Sequence, residues 1–231
     1  MKKVIFAFLS GCFILVNSSI AQNNTSETSP WEKRIGITGA VGEGGGSFTA
    51  GFSHLYGFGD AQRFRLGYGV RFTSFFGSDN EFSAAPPDLA SEENPQIFAP
   101  ASSQLNALNL GIYTDYAISE KLLAGFNIDL IGLSFGAEQE GLVTRSVDIG
   151  DTPVGDNGQP TSFNLLLVGD NDIGTLNSEF WIGYKVSSKV MIRGVFSYLF
   201  TEYTTNGQYQ DNNDRFRYKA SQGAIGVNYV F

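Results

Sequence analysis

The chain has one histidine, His54, and one cysteine, Cys12, among 231 residues. A zinc centre or a disulfide framework therefore has almost no ligands to draw on. His54 stands between Ser53 and Leu55 without a His-x-Ser spacing, and nucleophile-elbow, phosphate-loop and zinc signatures are absent. Carboxylates offer more. Asp170-Asn171-Asp172-Ile173-Gly174 begins like a calcium loop but lacks the third acidic position and the distal Glu. Asp148, Asp151 and Asp156 form a second, looser cluster able to attract Ca²⁺ or Mg²⁺. Solvated acidic loops explain both sets more simply, so no metal site is expected, and Asp170 and Asp172 are only weak candidates for one. No catalytic residue and no cofactor is expected. A net charge of −8 argues against nucleic acid as a partner.

A second group of charged residues is placed by period. Arg34, Arg65, Arg71, Lys185 and Arg193, with Asp115, Asp129 and Glu179, occupy polar positions in segments where apolar and polar residues alternate. Such alternation predicts strands. Phe64, Leu66, Tyr68, Val70 and Phe72 alternate with Arg65, Gly67, Gly69, Arg71 and Thr73. Leu122, Ala124, Phe126, Ile128 and Leu130 alternate with Leu123, Gly125, Asn127, Asp129 and Ile131. The pattern also runs through 107–118, 179–186, 190–201 and 224–231, and less regularly through 33–42 and 47–57, which makes eight strands. The composition agrees: 28 Gly, 20 Phe and 10 Tyr suit β-structure with tight turns, and a mean hydropathy of −0.07 means that apolar and polar residues are interleaved.

The connections sort by length. Short turns at Gly57 to Ala61, Ser119-Glu120 and Ser187-Ser188 alternate with the excursions 76–103, 138–173 and 203–213, and only the first outward turn, Glu43-Gly44-Gly45-Gly46, is short. Long structureless loops count against a compact soluble domain, whereas this one-sided asymmetry is expected of a transmembrane barrel. The N-terminus reads as an address. Met1-Lys2-Lys3, an apolar run to Val16 and Ser19-Ile20-Ala21-Gln22 predict a signal peptide over 1–21, cleaved before a polar lead-in at 22–30. Leu9-Ser10-Gly11-Cys12 looks like a lipoprotein cleavage box, but apolar Phe13-Ile14-Leu15-Val16 is the wrong flank for a lipidated cysteine. No stretch reaches 18 apolar residues, so helical spans are not expected.

Alternation alone does not say which face is inside. A soluble sandwich or lipocalin would bury the Phe/Leu/Ile face; an outer-membrane barrel turns it to lipid. Export, loop asymmetry, a last strand ending on Tyr229 and Phe231, and polar-face glycines (Gly36, Gly67, Gly69, Gly111, Gly125, Gly183, Gly226) favour the second. The expected fold is all-β, an eight-stranded antiparallel up-and-down transmembrane β-barrel over 31–231.

From Trp31 to Phe231 the chain resembles the small outer-membrane β-barrels of the OmpX and OmpA transmembrane-domain type, and among them the porin-family barrels of Bacteroidota. The residues that carry the resemblance are Ser19-Ile20-Ala21-Gln22, Ile118-Ser119-Glu120-Lys121-Leu122 and the closing Gly226-Val227-Asn228-Tyr229-Val230-Phe231. It implies a Gram-negative outer-membrane location, partners in membrane lipid and lipopolysaccharide, and reading of Tyr229 and Phe231 by the outer-membrane assembly machinery. It carries no catalytic motif. No peptidoglycan-binding domain follows the barrel, so no cell-wall tether is expected. Some such barrels modify lipid A with a His/Ser/acid set, and His54 is the only histidine available for it.

Eight strands leave an interior that side chains fill. Mixed charges confined there should pair, with Asp115 low, near Lys185, Arg193 or Arg65, and Asp129 and Glu179 higher, near Arg71. The expected role is structural or surface-interacting, in a monomer with a lumen plugged by ion pairs; a narrow passive porin is the alternative and a lipid-modifying enzyme a distant second. Trp31, Tyr56 and Tyr229 are expected at one membrane interface and Tyr198, Phe200 and Phe75 at the other. Segments 77–103, 138–173 and 202–214 hold 15 of the 23 acidic residues, a candidate surface for an external ligand.

Overall fold

The computed structural model describes residues 29–85, 96–144, 152–168 and 171–231. The expected signal peptide, most of the lead-in, Asp148, Asp151 and Asp170 lie outside them. The described residues form one antiparallel sheet of thirteen strands. In chain order these are β1 (Trp31–Gly42), β2 (Gly45–Phe58), β3 (Phe64–Ser78), β4 (Phe82–Ala84), β5 (Ile97–Pro100), β6 (Ser102–Ala117) and β7 (Leu122–Phe135). They continue with β8 (Gln139–Thr144), β9 (Val154–Pro160), β10 (Phe163–Leu165), β11 (Leu176–Lys185), β12 (Val190–Thr205) and β13 (Arg215–Val230).

Eight strands are long, from 10 residues in β11 to 16 in β6, β12 and β13. Each pairs with its predecessor and successor among the long strands: β1–β2, β2–β3, β3–β6, β6–β7, β7–β11, β11–β12 and β12–β13. β13 in turn pairs with β1, from Arg34↔Val230 to Gly42↔Gln222. The turn that joins β1 to β2 needs Gly44, whose φ of +72° is a left-handed conformation that a side chain disfavours.

The other five strands add to the eight expected; for 138–173 the sequence leaves added strands open, with Phe163 to Val168 apolar enough to form one. β4 and β5 lie within 76–103, and β8, β9 and β10 within 138–173. Four of them pair with one another and with the long strands in a second circuit: β12 with β9, β9 with β8, β8 with β5, β5 with β4 and β4 with β13; β10 pairs with β7 alone. β12 and β13 are already paired there, at Tyr203↔Phe216. Runs of three to seven residues are too short for alternation to register, and their partners lie far along the chain.

Two further corrections concern the faces. Leu110 pairs with Ile131 but Gly111 with Asp129, so Leu130 is an extra, bulged residue in β7. A bulge reverses the parity beyond it. Ile131, expected beside Asp129 on the inner face, is exposed, as are Leu133 and Phe135 above it. Phe75, expected at a membrane interface, is fully buried, because it shares the face of Arg71 and Thr73; Phe76 is the exposed neighbour.

Candidate functional site

The long strands bury their polar faces and expose their apolar ones. Arg34, Arg65, Arg71, Asp115, Asp129, Glu179 and Arg193 are all buried, while Phe64, Leu110, Phe180, Ile182, Phe196 and Ile225 are exposed. Inside, the charges fall into two tiers.

In the lower tier, Arg65 Nε donates to Asp115 Oδ1 at 2.7 Å, and Arg34 Nη1 lies 2.8 Å from Asp115 Oδ2. Glu32 joins both arginines: Arg65 Nη1 donates to its Oε2 at 2.9 Å and Arg34 Nε to its Oε1. Glu32 was not among the residues singled out from the sequence, although the parity that turns Arg34 inward also turns Glu32. Lys185 stands apart. Among the described residues no carboxylate lies within 4.0 Å of it, so it does not take the place beside Asp115 expected for it.

In the upper tier, Arg71 donates to Asp129 Oδ1 from Nη2 (2.6 Å) and Nε (3.0 Å). Asn109 Nδ2 (2.9 Å) and the Asn177 backbone N–H (3.0 Å) donate to Asp129 Oδ2. Arg71 Nη1 also lies 3.0 Å from Glu179 Oε2, which accepts from Asn127 Nδ2 at 3.0 Å. Arg193 belongs here and not with Asp115: Nη1 is 3.9 Å from Glu179, Nη2 donates to Thr38 Oγ1 at 3.0 Å, and its guanidinium stacks 5.4 Å from the Trp181 ring. Trp181 covers Gly125, where a Cβ would sit 2.3 Å from the indole, so this glycine makes room for the ring.

The two tiers hold four carboxylates, Glu32, Asp115, Asp129 and Glu179, against four guanidinium groups, Arg34, Arg65, Arg71 and Arg193. A neutral, mutually bonded set is the form in which buried charges are tolerated. The internal cavity between the tiers, bounded by Arg34, Arg71, Glu179 and Arg193, measures about 30 Å³. That is room for only a few water molecules.

Above the charges the interior turns apolar. Phe75, Leu105, Leu199 and Ala220 from the long strands pack with Phe82, Phe98, Val143, Tyr203 and Phe216 from the second circuit. Tyr203 crosses this interior: its hydroxyl donates to the Gln104 carbonyl and accepts from the Gln104 N–H, each at 3.1 Å. β9 contributes Gly158, whose missing side chain leaves room for the Phe98 ring.

A further buried cluster lies on the opposite face of the sheet. Glu202 accepts from Arg215 Nε and Arg217 Nη2, both at 2.8 Å, and is wholly buried. By sequence it belongs to the acidic segment 202–214, expected to face solvent. Thr161 and residues 172–174 lie against it: the Thr161 N–H donates to the Glu202 carbonyl (2.9 Å), the Gly174 N–H to its carboxylate (3.2 Å), and both arginines donate to the Asp172 carbonyl.

The remaining candidates are placed as follows. Asp172 is buried, and its carboxylate accepts from the Leu167 N–H at 2.8 Å. Asp156, in β9, accepts from Tyr209 Oη (2.7 Å), the Gly207 N–H (2.9 Å) and the Asn157 N–H (2.8 Å). Burial pushes the Asp156 carboxyl up, but these three donors outweigh it and hold it below the usual carboxylate range. Burial and the neighbouring carboxylate together raise the Tyr209 phenol. Ser53 faces the interior, while His54 lies on the outer face with its Nδ1 3.1 Å from Tyr68 Oη and its ring 4.5 Å from that of Trp31. Serine and histidine thus stand on opposite sides of one strand. Tyr229 and Phe231 are exposed on the outer face, in edge-to-face contact at 5.2 Å.

Fold and interior together define an antiparallel β-protein with charge inside and hydrocarbon outside. No protein-family model and no curated protein matches the chain. Among solved structures it is similar to Neisserial surface protein A, at 11% identity over 87% of this chain and 97% of that one, with a TM-score of 0.41. It is similar also to Ail, the attachment invasion locus protein of Yersinia pestis (10% identity, 88% and 99% covered, TM-score 0.37). A third is the N-terminal β-barrel domain of Pseudomonas aeruginosa OprF (10%, 87% and 97%, 0.36). These solved structures are small outer-membrane β-barrels.

Proposed function

We propose that the chain is a bacterial outer-membrane protein, exported by residues 1–21, whose eight long strands close into a transmembrane barrel. Its lumen is plugged, and its role is structural or surface-interacting. One observation carries this reading: burial is inverted. Ile225 is 71% exposed, Ile182 61% and Phe180 59%, while Arg71, Asp129 and Glu179 are at most 3% exposed. In water each such apolar side chain forgoes about 1.5–3 kcal/mol of burial, and a belt of them favours aggregation. In hydrocarbon the same belt is the stable arrangement, and the circuit of strand pairing leaves no long edge unbonded to lipid.

The plug has two layers. The charge-balanced tiers leave room for only a few waters, and the apolar cluster of Phe82, Phe98, Tyr203 and Phe216 lies above them. A hydrated ion finds no path through either layer. The cap built by β4, β5, β8 and β9 presents Asp79, Glu81 and Glu140 on its exposed surface, the side on which an external ligand would meet the chain. Tyr229 and Phe231 are the residues for the assembly machinery to read, and the unit is a monomer.

Fractionation with heat-modifiable gel mobility tests compartment and barrel closure together. The chain should sediment with the outer membrane and migrate faster unheated than boiled. Recovery as a surfactant-free soluble species overturns the reading. Planar-bilayer recording separates plug from porin: the plugged barrel is silent, and discrete ohmic steps would favour the narrow porin.

A further inference from the structure

The outer faces of β1, β2 and β3 are organised in rows. Lys33 pairs with His54 and His54 with Tyr68; one row up are Ile35, Phe52 and Val70; above that are Ile37, Ala50 and Phe72. Ala50 is the small member of this surface. Phe48 and Phe52 flank it along β2, Ile37 and Phe72 across the strands, and Gly39, next on β1, has nothing within 4 Å of where a Cβ would lie. The result is a groove of about 680 Å³ on the exposed apolar face, lined by Ile35, Ile37, Ala50, Phe52, Val70 and Tyr229 among others. Along β1 its lining runs from Ile35 to Ile37, about 7 Å. Its size is that of a small-molecule site.

The mouth of the groove is cationic. Lys33 is exposed, two residues below Ile35 on the same face, and Ile35 pairs with Tyr229. Lys189, exposed in the β11–β12 turn, holds its Nζ 6.0 Å from the Tyr229 ring. Among the described residues no carboxylate lies within 4.0 Å of either lysine. Trp31, Tyr56 and Tyr68 surround this end, the aromatic setting of a membrane–water interface.

We infer that this face holds one anionic glycerophospholipid of the periplasmic leaflet, its phosphate between Lys33 and Lys189 and an acyl chain in the groove over Ala50. An apolar trough ending at two unpaired ammonium groups matches an amphiphile with a negative head, and in the proposed membrane orientation phospholipid is the amphiphile at that depth. The inference rests on the membrane reading above.

The full chain is released from vesicles of phosphatidylglycerol and phosphatidylcholine with identical acyl chains, and retained lipid is counted by native mass spectrometry. The wild type should retain one phosphatidylglycerol in preference to phosphatidylcholine. Lys33→Gln and Lys189→Gln should each weaken that preference about fivefold, at about 1 kcal/mol per surface lysine. Ala50→Phe, which fills the trough, should abolish retention, whereas Lys121→Gln, on another turn of the same rim, should leave it unchanged. Heat-modifiable mobility checks that each variant has folded, and the two lysine variants decide the matter if Ala50→Phe does not fold. A chain that inserts but shows no preference, or loses it equally in Lys121→Gln, overturns this inference alone. A chain that never inserts overturns the membrane reading with it.

Discussion

Asp129→Ala removes the acceptor at the centre of the upper tier. In the native chain its carboxylate takes both Arg71 bonds, at 2.6 and 3.0 Å, and those of Asn109 and the Asn177 N–H. The variant leaves Arg71 with Glu179 and the Asn177 carbonyl, and Asn109 with the Thr175 carbonyl, takes the acceptor from the buried Asn177 N–H and gives the tier a net positive charge. Removing one partner of a buried pair costs about 3–5 kcal/mol. The surviving Glu179 contact at 3.0 Å places the expected loss near the lower end, about 3 kcal/mol. Denaturant titration in lipid vesicles, with mobility shift and tryptophan fluorescence as parallel probes, measures it. Replacing both partners, in Arg71→Met/Asp129→Leu, should recover part of the loss by removing the uncompensated charge. A single-variant loss below about 1 kcal/mol would mean that water screens this interior, as at a solvent-exposed pair, and would refute the sealed plug.

Three further outcomes follow from the same geometry. Phe196→Arg puts a cation on the exposed apolar face of β12 and should cost about 2–4 kcal/mol if it lies near the bilayer midplane, read by the same titration. Phe98→Ala should cost about 3–5 kcal/mol within the cap, seen as faster hydrogen exchange in β4, β5 and β8, with the exchange of β1 and β2 unchanged. The Asp156 carboxyl is held below its ordinary value, so its tie to Tyr209 and Gly207 is intact above the unfolded value of about 3.9 and loosens as pH falls through the lower, folded value. Exchange at Gly207 should accelerate on acidification, and the acid dependence should weaken in Tyr209→Phe.

The long strands were legible because period two is a local signal. From Arg65 to Thr73, or from Ile225 to Phe231, each residue's neighbours in sequence state its face. The inner charges followed by parity, but parity does not choose partners: strand stagger does, and it set Arg193 beside Glu179 rather than Asp115. The cap was illegible for a different reason. Phe82 and Phe98 sit in strands of three and four residues whose partners include β13 and β8, so their burial depends on contacts that no local window contains. Glu202 shows the same limit. Alternation sends it away from the interior, and it is contacts from distant Thr161 and Gly174 that cover it. Leu130 is subtler still, since an apolar run does not reveal a bulge that flips Ile131 outward.

The central claim is the direction in which each face of β12 looks, and lipid-contact scanning of Ile192 to Leu199 tests it most directly. Single labels along this strand, exposed in turn to a quencher confined to the acyl chains, should show contact at Ile192, Gly194, Phe196 and Tyr198. They should show none at Arg193, Val195, Ser197 and Leu199, the buried set. Contact at the odd positions, or at neither set, would contradict the account.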